Sequence, residues 1–186
     1  MNAFMQDYTS KIQALCDALD RDSLESMCLA LRSAYDGSRR IFAAGNGGSA
    51  ATVNHFCCDL GKNAVRRSAK RVKIISLASS VEAITAVGND VSFDAVFSEQ
   101  LANLIEAGDV LLLVSASGNS PNIVRAAGLA KERGALVLGL TGLSGGKLRE
   151  TADICVHVDC GSYEMVEDMH LMICHMIVCY FKSLDL

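Results

Sequence analysis

The sequence predicts a three-layer α/β sandwich, with a central five-stranded parallel sheet flanked by helices and an N-terminal helical arm in front. Three observations predict it. Short apolar runs alternate with longer stretches of helical periodicity, the pattern of βα units. The run Asp109-Val110-Leu111-Leu112-Leu113-Val114 is apolar without alternation, as a strand covered on both faces is. Two strands open into turns of small polar residues at helix starts, at 45–49 and 115–120, where open α/β sheets bind ligands.

Taken in order, residues 4–35 carry Ile12, Leu15, Leu19, Leu24, Met27, Leu31 and Tyr35 at helical spacing, with a break expected at Asp22 and Ser23. So apolar an arm needs a surface to pack on, which a second copy could supply. Arg40–Ala44 reads as the first strand. Behind the turn Gly45-Asn46-Gly47-Gly48-Ser49, Ala50–Lys62 reads as a helix with Asn46 or Ser49 near its cap. The three glycines admit φ > 0 and close approach to a ligand. Arg71–Leu77 is the second strand, Val81–Val87 a short helix closing at Gly88-Asn89-Asp90, and 94–106 a further helix. After the apolar strand comes Ser115-Ala116-Ser117-Gly118-Asn119-Ser120 and a helix from Pro121 to Arg133, with proline where a helix tolerates it. Ala135–Leu140 is the fourth strand, 141–146 a loop, Ile154–Val158 the fifth strand and 163–183 the last helix. One domain over 1–186 follows, with the arm at 1–36 and the α/β core at 37–186.

Composition narrows the function. Of 186 residues, 51% are hydrophobic and 20% charged, enough for a full core. The net charge is −4, and beyond Arg66-Arg67 and Lys70-Arg71 no basic run stands out. That argues against nucleic acid as the main ligand. The N-terminus lacks the basic start and apolar core of a signal peptide, and no apolar run reaches membrane length. The eight cysteines lie mostly in helical, apolar patterns without a CxxC, as packed thiols in a reducing cytosol do.

Two stretches carry chemistry. Ser115, Ser117 and Ser120 bring three hydroxyls to a helix start, whose free N–H groups cradle phosphate without a lysine. Neither a Walker loop nor a GxGxxG fingerprint is present, which disfavours a nucleotide. His55 and Asp59, four apart, share a helix face. The last helix adds Glu164, Glu167, Asp168, His170 and His175 among apolar residues, and such groups need partners if buried. Imidazoles with carboxylates suit zinc or another divalent ion. Glu167 and His175, about 12 Å apart along a helix axis, can share an ion only by leaning together or from different subunits. Glu167 with His170 is the tighter alternative. Taken singly, His170 and His157 read as hydrogen-bonded core histidines, and Cys57, Cys58 and Cys174 as packing.

The motifs GNGGS, HFxxxL, VGND, SxSGNS, LTG and ExxHxxxxH together resemble the sugar isomerase (SIS) domain. Within it the chain is similar to the phosphoheptose isomerases, which interconvert sedoheptulose 7-phosphate and D-glycero-D-manno-heptose 7-phosphate. The resemblance spans almost the whole chain. It implies a cytoplasmic homotetramer with interface active sites, often zinc-bound. It assigns the sugar to Asn46, Gly47, Gly48, Ser49, Asn89 and Asp90, and the phosphate to Ser115, Ala116, Ser117 and Ser120, with Ala116 where the family has threonine. It makes His55, Asp59, Glu167 and His175 metal ligands, and Asp59 the base with His175 as acid partner. It also implies that Asp59 and Glu167 touch the substrate. Three departures stand out: Asp59 replaces the family's glutamate, Glu167 its glutamine, and Asn63, beside Lys62, its basic residue. The rival readings are an isomerase of another phosphosugar and a non-catalytic SIS module that binds a phosphosugar or a protein. Retention of His55, His175 and acids at 59 and 167 argues against the module.

Overall fold

A computed structural model describes residues 1–64 and 70–184. Arg66, Arg67 and the Asn63 side chain lie outside the described part. In chain order the elements are α1 (Asn2–Asp17), α2 (Arg21–Asp36), β1 (Arg40–Gly45), α3 (Gly48–Asn63), β2 (Lys73–Ser76), α4 (Val81–Asp90), a 3₁₀ turn (Phe93–Ala95), α5 (Ser98–Ala102), β3 (Val110–Ser115), α6 (Pro121–Glu132), β4 (Leu136–Gly142), α7 (Gly146–Thr151), β5 (Ile154–Val158) and α8 (Tyr163–Ser183). The sheet is parallel throughout, ordered β2-β1-β3-β4-β5. The predicted three-layer sandwich is therefore the fold.

Side-chain alternation along the central strands builds two cores. Ile41, Ala43, Leu112, Val114, Leu138 and Leu140 face α2, α3 and α8, packing on Leu31, Phe56, Ile173 and Phe181. Phe42, Ala44, Leu111, Leu113 and Val137 face the other way, onto Leu101, Ile123, Ala126 and Leu148. Every residue of β3 is buried, as its unbroken apolar run requires.

Several boundaries differ from the sequence reading, among them that of α4, which runs on through Gly88 and Asn89 to Asp90 instead of closing after Val87. The arm breaks before Arg21, not at Asp22–Ser23, because Asp20 caps α2 by accepting from the Ser23 N–H at 3.0 Å. α2 sinks Met27 and Leu31 into the core, whereas α1 has no buried residue. The 94–106 helix is a 3₁₀ turn followed by the five-residue α5. The 141–146 loop gives way to β4 reaching Gly142 and to α7 from Gly146. Its short length and two positive-φ glycines, Gly145 and Gly146, hide α7 from periodicity.

Candidate active site

β1 leads to β2 on one side and β3 on the other, so the sheet order reverses beside β1. The turns after β1 and β3 leave the carboxyl edge at that reversal, where such sheets open a crevice. A cleft of about 230 Å³ lies there, lined by Asn46, Ser49, Ser115, Ala116, Ser117, Ser120, Tyr163 and Glu167. Most of the predicted substrate set therefore converges. Asn89 and Asp90 do not line it. They stand exposed at the end of α4, bonded to each other at 2.7 Å.

Each bend keeps polar groups turned to the cleft. The cap of α3 is Gly47, at φ +52° and ψ −119°, and no side chain caps it. Asn46 and Ser49 flank this cap, but neither side chain closes it: Asn46 bonds elsewhere and Ser49 is buried. Of the three glycines, Gly47 takes the positive φ. Gly48 serves by its lack of a side chain, since a Cβ there would fall on the Glu167 carboxylate. In the serine bend, Gly118 at φ +64° turns the chain. Its N–H donates to Ser115 Oγ at 3.1 Å, and the Asn119 N–H donates to Ser117 Oγ at 3.3 Å. Asn119 accepts from the Lys147 N–H at 3.1 Å, tying the bend to α7. Ser120 is the cap residue of α6 yet makes no side-chain cap bond. Its hydroxyl and the first N–H groups of α6 stand at an anion-binding end.

Further along α3 a second constellation forms. His55 Nε2 lies 3.4 Å from Asp59 Oδ2, and His175 Nε2 of α8 lies 3.9 Å from the same oxygen. The imidazole rings meet edge to face, 5.0 Å between centroids. One ligand atom from each residue falls within 4.8 Å of the others, the group among the described residues able to hold a metal ion. Donors around a tetrahedral ion stand roughly 3.3–3.6 Å apart. Two imidazoles and a carboxylate are a donor set that suits zinc or another divalent ion; the His55–Asp59 pair at 3.4 Å already has that spacing, and the His175–Asp59 pair at 3.9 Å has to draw in. Both histidines are about half exposed, 50% for His55 and 47% for His175.

Glu167 is the member of the predicted metal set that this group lacks. Its carboxylate rests on Gly48 at the start of α3, two helical turns from His175. α3 and α8 thus run parallel, Gly48 beside Glu167 and Asp59 beside His175. His157 fits its reading in part: its Nδ1 lies 3.1 Å from Thr141 Oγ1, but the residue is half-buried at the sheet edge rather than in the core. His170 is fully buried, as its reading has it; among the described residues neither ring nitrogen completes a hydrogen bond of regular geometry, and the Thr141 backbone is the hydrogen-bonding group its ring meets. Burial pushes its pKa down to about 4; nearby His157 adds to this and the Thr141 backbone opposes it. All eight cysteines are unpaired thiols, but Cys58 and Cys179 are exposed rather than packed. Tyr163 in the cleft wall and Asn122, bonded to Asn46, escape sequence reasoning. Tyr163 is one more residue at a helix start, and no spacing links 46 to 122.

Residues 7–142 match the SIS domain family. A phosphoheptose isomerase of Pelobacter propionicus is 37% identical over 182 residues, covering 94% of this chain and 95% of that one. Among solved structures, a phosphoheptose isomerase from Neisseria gonorrhoeae superposes with TM-score 0.89 at 29% identity, covering 98% and 97% of the two chains. One from Francisella tularensis gives 0.90 at 27%, covering 98% and 96%. Together these likenesses, in sequence and in fold, show that the chain belongs to the phosphoheptose isomerases of the SIS domain family.

Proposed function

We propose that the chain is a phosphoheptose isomerase, interconverting sedoheptulose 7-phosphate and D-glycero-D-manno-heptose 7-phosphate through an enediol. The observation that carries this is the placement of His55, Asp59 and His175 on the same α3–α8 pair that walls the anion cleft. Ser115, Ser117, Ser120 and the start of α6, with the Ala116 backbone, hold the phosphate. Asn46, Gly47, Gly48 and Ser49 meet the sugar hydroxyls, with Glu167 as a further contact; Asn89 and Asp90, which do not line their own chain's cleft, would reach the sugar from a neighbouring copy. Asp59 takes the proton from C1 of the ketose, leaving the enediol, and the proton returns at C2. His175 carries a proton from the C1 oxygen to the C2 oxygen, so atoms balance. His55, Asp59 and His175 would hold a zinc or similar ion, which when bound supplies polarisation of the carbonyl and hydroxyl oxygens.

The site is assembled between copies in this reading. Asp59 lies eleven residues beyond Gly48, about 16 Å along α3, a long reach for one substrate held in the same chain's cleft. Both histidines face outward, and α1 buries none of its residues while exposing Phe4 and Met5. A homotetramer, as the resemblance implies, would cover these faces and bring one copy's cluster to another's cleft. Glu167 then joins the ion as a donor from the neighbouring copy. Eight free thiols suit the cytoplasm. Among the described residues no helix is long and apolar enough to cross a membrane.

Purified protein is assayed on sedoheptulose 7-phosphate and on a panel of other phosphosugars, with metal content measured alongside. Turnover of the heptose, lost in Asp59→Asn and His175→Ala, is the expected result. Full activity in either variant removes that residue from the chemistry. Binding without turnover of any sugar, and no metal, returns the reading to a binding module.

A further inference from the structure

Asn122 joins the two bends of the cleft, and the chemistry above does not use it. It is the second residue of α6 and 1% exposed. Its Nδ2 donates to Asn46 Oδ1 at 3.0 Å, and Asn46 Nδ2 donates back to Asn122 Oδ1 at 2.9 Å. Two amides bonded both ways form a closed ring, which fixes the plane of each. An amide has two N–H donors and two acceptor positions. The ring uses one of each on Asn46, leaving one donor and one acceptor on a half-buried side chain that lines the cleft.

The turn itself does not hold Asn46. Gly47 beside it has positive φ, and no side chain caps α3. Among the described residues, Asn122 is the hydrogen-bond partner of the Asn46 side chain. The pair also crosses from the bend after β1 to the helix whose start forms the serine cradle. We infer that Asn122 is a positioning residue for sugar recognition: it aims the remaining donor and acceptor of Asn46 at a sugar hydroxyl in register with the phosphate cradle. The ligand's identity rests on the isomerase reading; the pairing does not. Without Asn122, Asn46 gains rotamers that binding must then freeze out, and one good hydrogen bond to the sugar is misaimed, on the order of tenfold in affinity.

A double-mutant cycle on the full-length protein tests this by calorimetry. Asn46→Ala, Asn122→Ala and the double variant are titrated with sedoheptulose 7-phosphate and separately with inorganic phosphate. Each single change should weaken the sugar phosphate about tenfold, and the double no more than either. Inorganic phosphate, which needs only the serine cradle, should shift by less than twofold. Asn122→Leu, close in shape and without amide bonds, gives the same pattern if the alanine variant fails to fold. Additive losses, losses shared equally by both ligands, or binding within twofold of the parent protein overturn the inference. Turnover on the same samples separates the two ideas. A parent protein that binds the sugar phosphate without isomerising it sinks the isomerase and leaves the cycle readable; one that binds neither ligand sinks both.

Discussion

Ser117→Asp sets a carboxylate in the phosphate cradle, and His175→Ala removes an imidazole from the cluster, so each variant alone should lose turnover. Mixed, they should recover it if one copy's cleft works with another copy's cluster. The expectation comes from the length of α3. Its start touches the cleft, and Asp59 lies about 16 Å further along the axis. A base must come within about 2.6–3.2 Å of the proton it takes. A substrate anchored at Ser115–Ser120 meets that condition most readily with Asp59 of a neighbour.

The magnitude follows from counting subunits. In a randomly mixed equal population, about a quarter of sites pair an intact cleft with an intact cluster, the statistics of a heterologous contact between identical chains. The assay is isomerisation of sedoheptulose 7-phosphate after co-expression of two differently tagged variants and purification through both tags, with each variant alone as baseline. Recovery to roughly a quarter of the parent rate is expected. No recovery in doubly tagged oligomers refutes the shared site and returns cleft and cluster to a single chain.

Four further outcomes are expected. His55→Ala and His175→Ala should each lower zinc affinity by about 100-fold or more, since each removes one imidazole from the three donors a single chain brings together; competition with a chromogenic chelator measures it, and unchanged affinity removes the cluster as the metal site. His170, buried and held neutral with its pKa lowered to about 4, takes up its proton more readily in the unfolded chain. Its contribution is therefore present above about pH 6.5 and lost as pH falls towards 4, on the order of 2–3 kcal/mol; in urea titrations across that window His170→Met should flatten the loss, and equal slopes would refute it. Gly118→Ala should abolish inorganic phosphate binding in calorimetry, because φ +64° strains a side chain and a Cβ would fall on the Gly145 carbonyl; normal binding would show the bend tolerates another shape. Asp109 is 2% exposed and accepts from the Arg40 N–H, Arg40 Nε and the Glu106 N–H; Asp109→Ala should cost about 2–4 kcal/mol in chemical denaturation, and a loss below 1 kcal/mol would refute its structural role.

Much of this was legible in the residues. Strands and most helices follow from apolar runs with clear ends, and β3 from a run with no polar face. Both bends announce themselves by small polar residues where a strand meets a helix. What stays hidden is what depends on partners far apart in sequence. Asn122 is an ordinary early-helix asparagine until Asn46 lies across from it. His170 looks like any core histidine; that no described residue gives either nitrogen a hydrogen bond of regular geometry is a property of what surrounds it. α7 is too short for periodicity, and Asp20 outranks Asp22 and Ser23 only because its side chain reaches the Ser23 N–H.

The parallel pairing of α3 with α8 explains the spacing that made the late helix hard to read. Each helix follows a strand of the same parallel sheet, so both run back across one face in the same direction. Glu167 then lies beside Gly48 at the cleft end, and His175, eight residues on, beside Asp59 eleven residues on. Two acids and two imidazoles that look like one ligand set along the sequence are divided between the ends of a helix pair. The division gives Glu167 a measurable signature. In protein kept dilute enough to be monomeric, Glu167→Ala should change zinc affinity less than twofold, while His175→Ala still lowers it by about 100-fold or more. In the assembled oligomer the two losses should draw together, if the neighbour's Glu167 completes the site. Equal losses in the monomer would place Glu167 on its own chain's ion and undo the division.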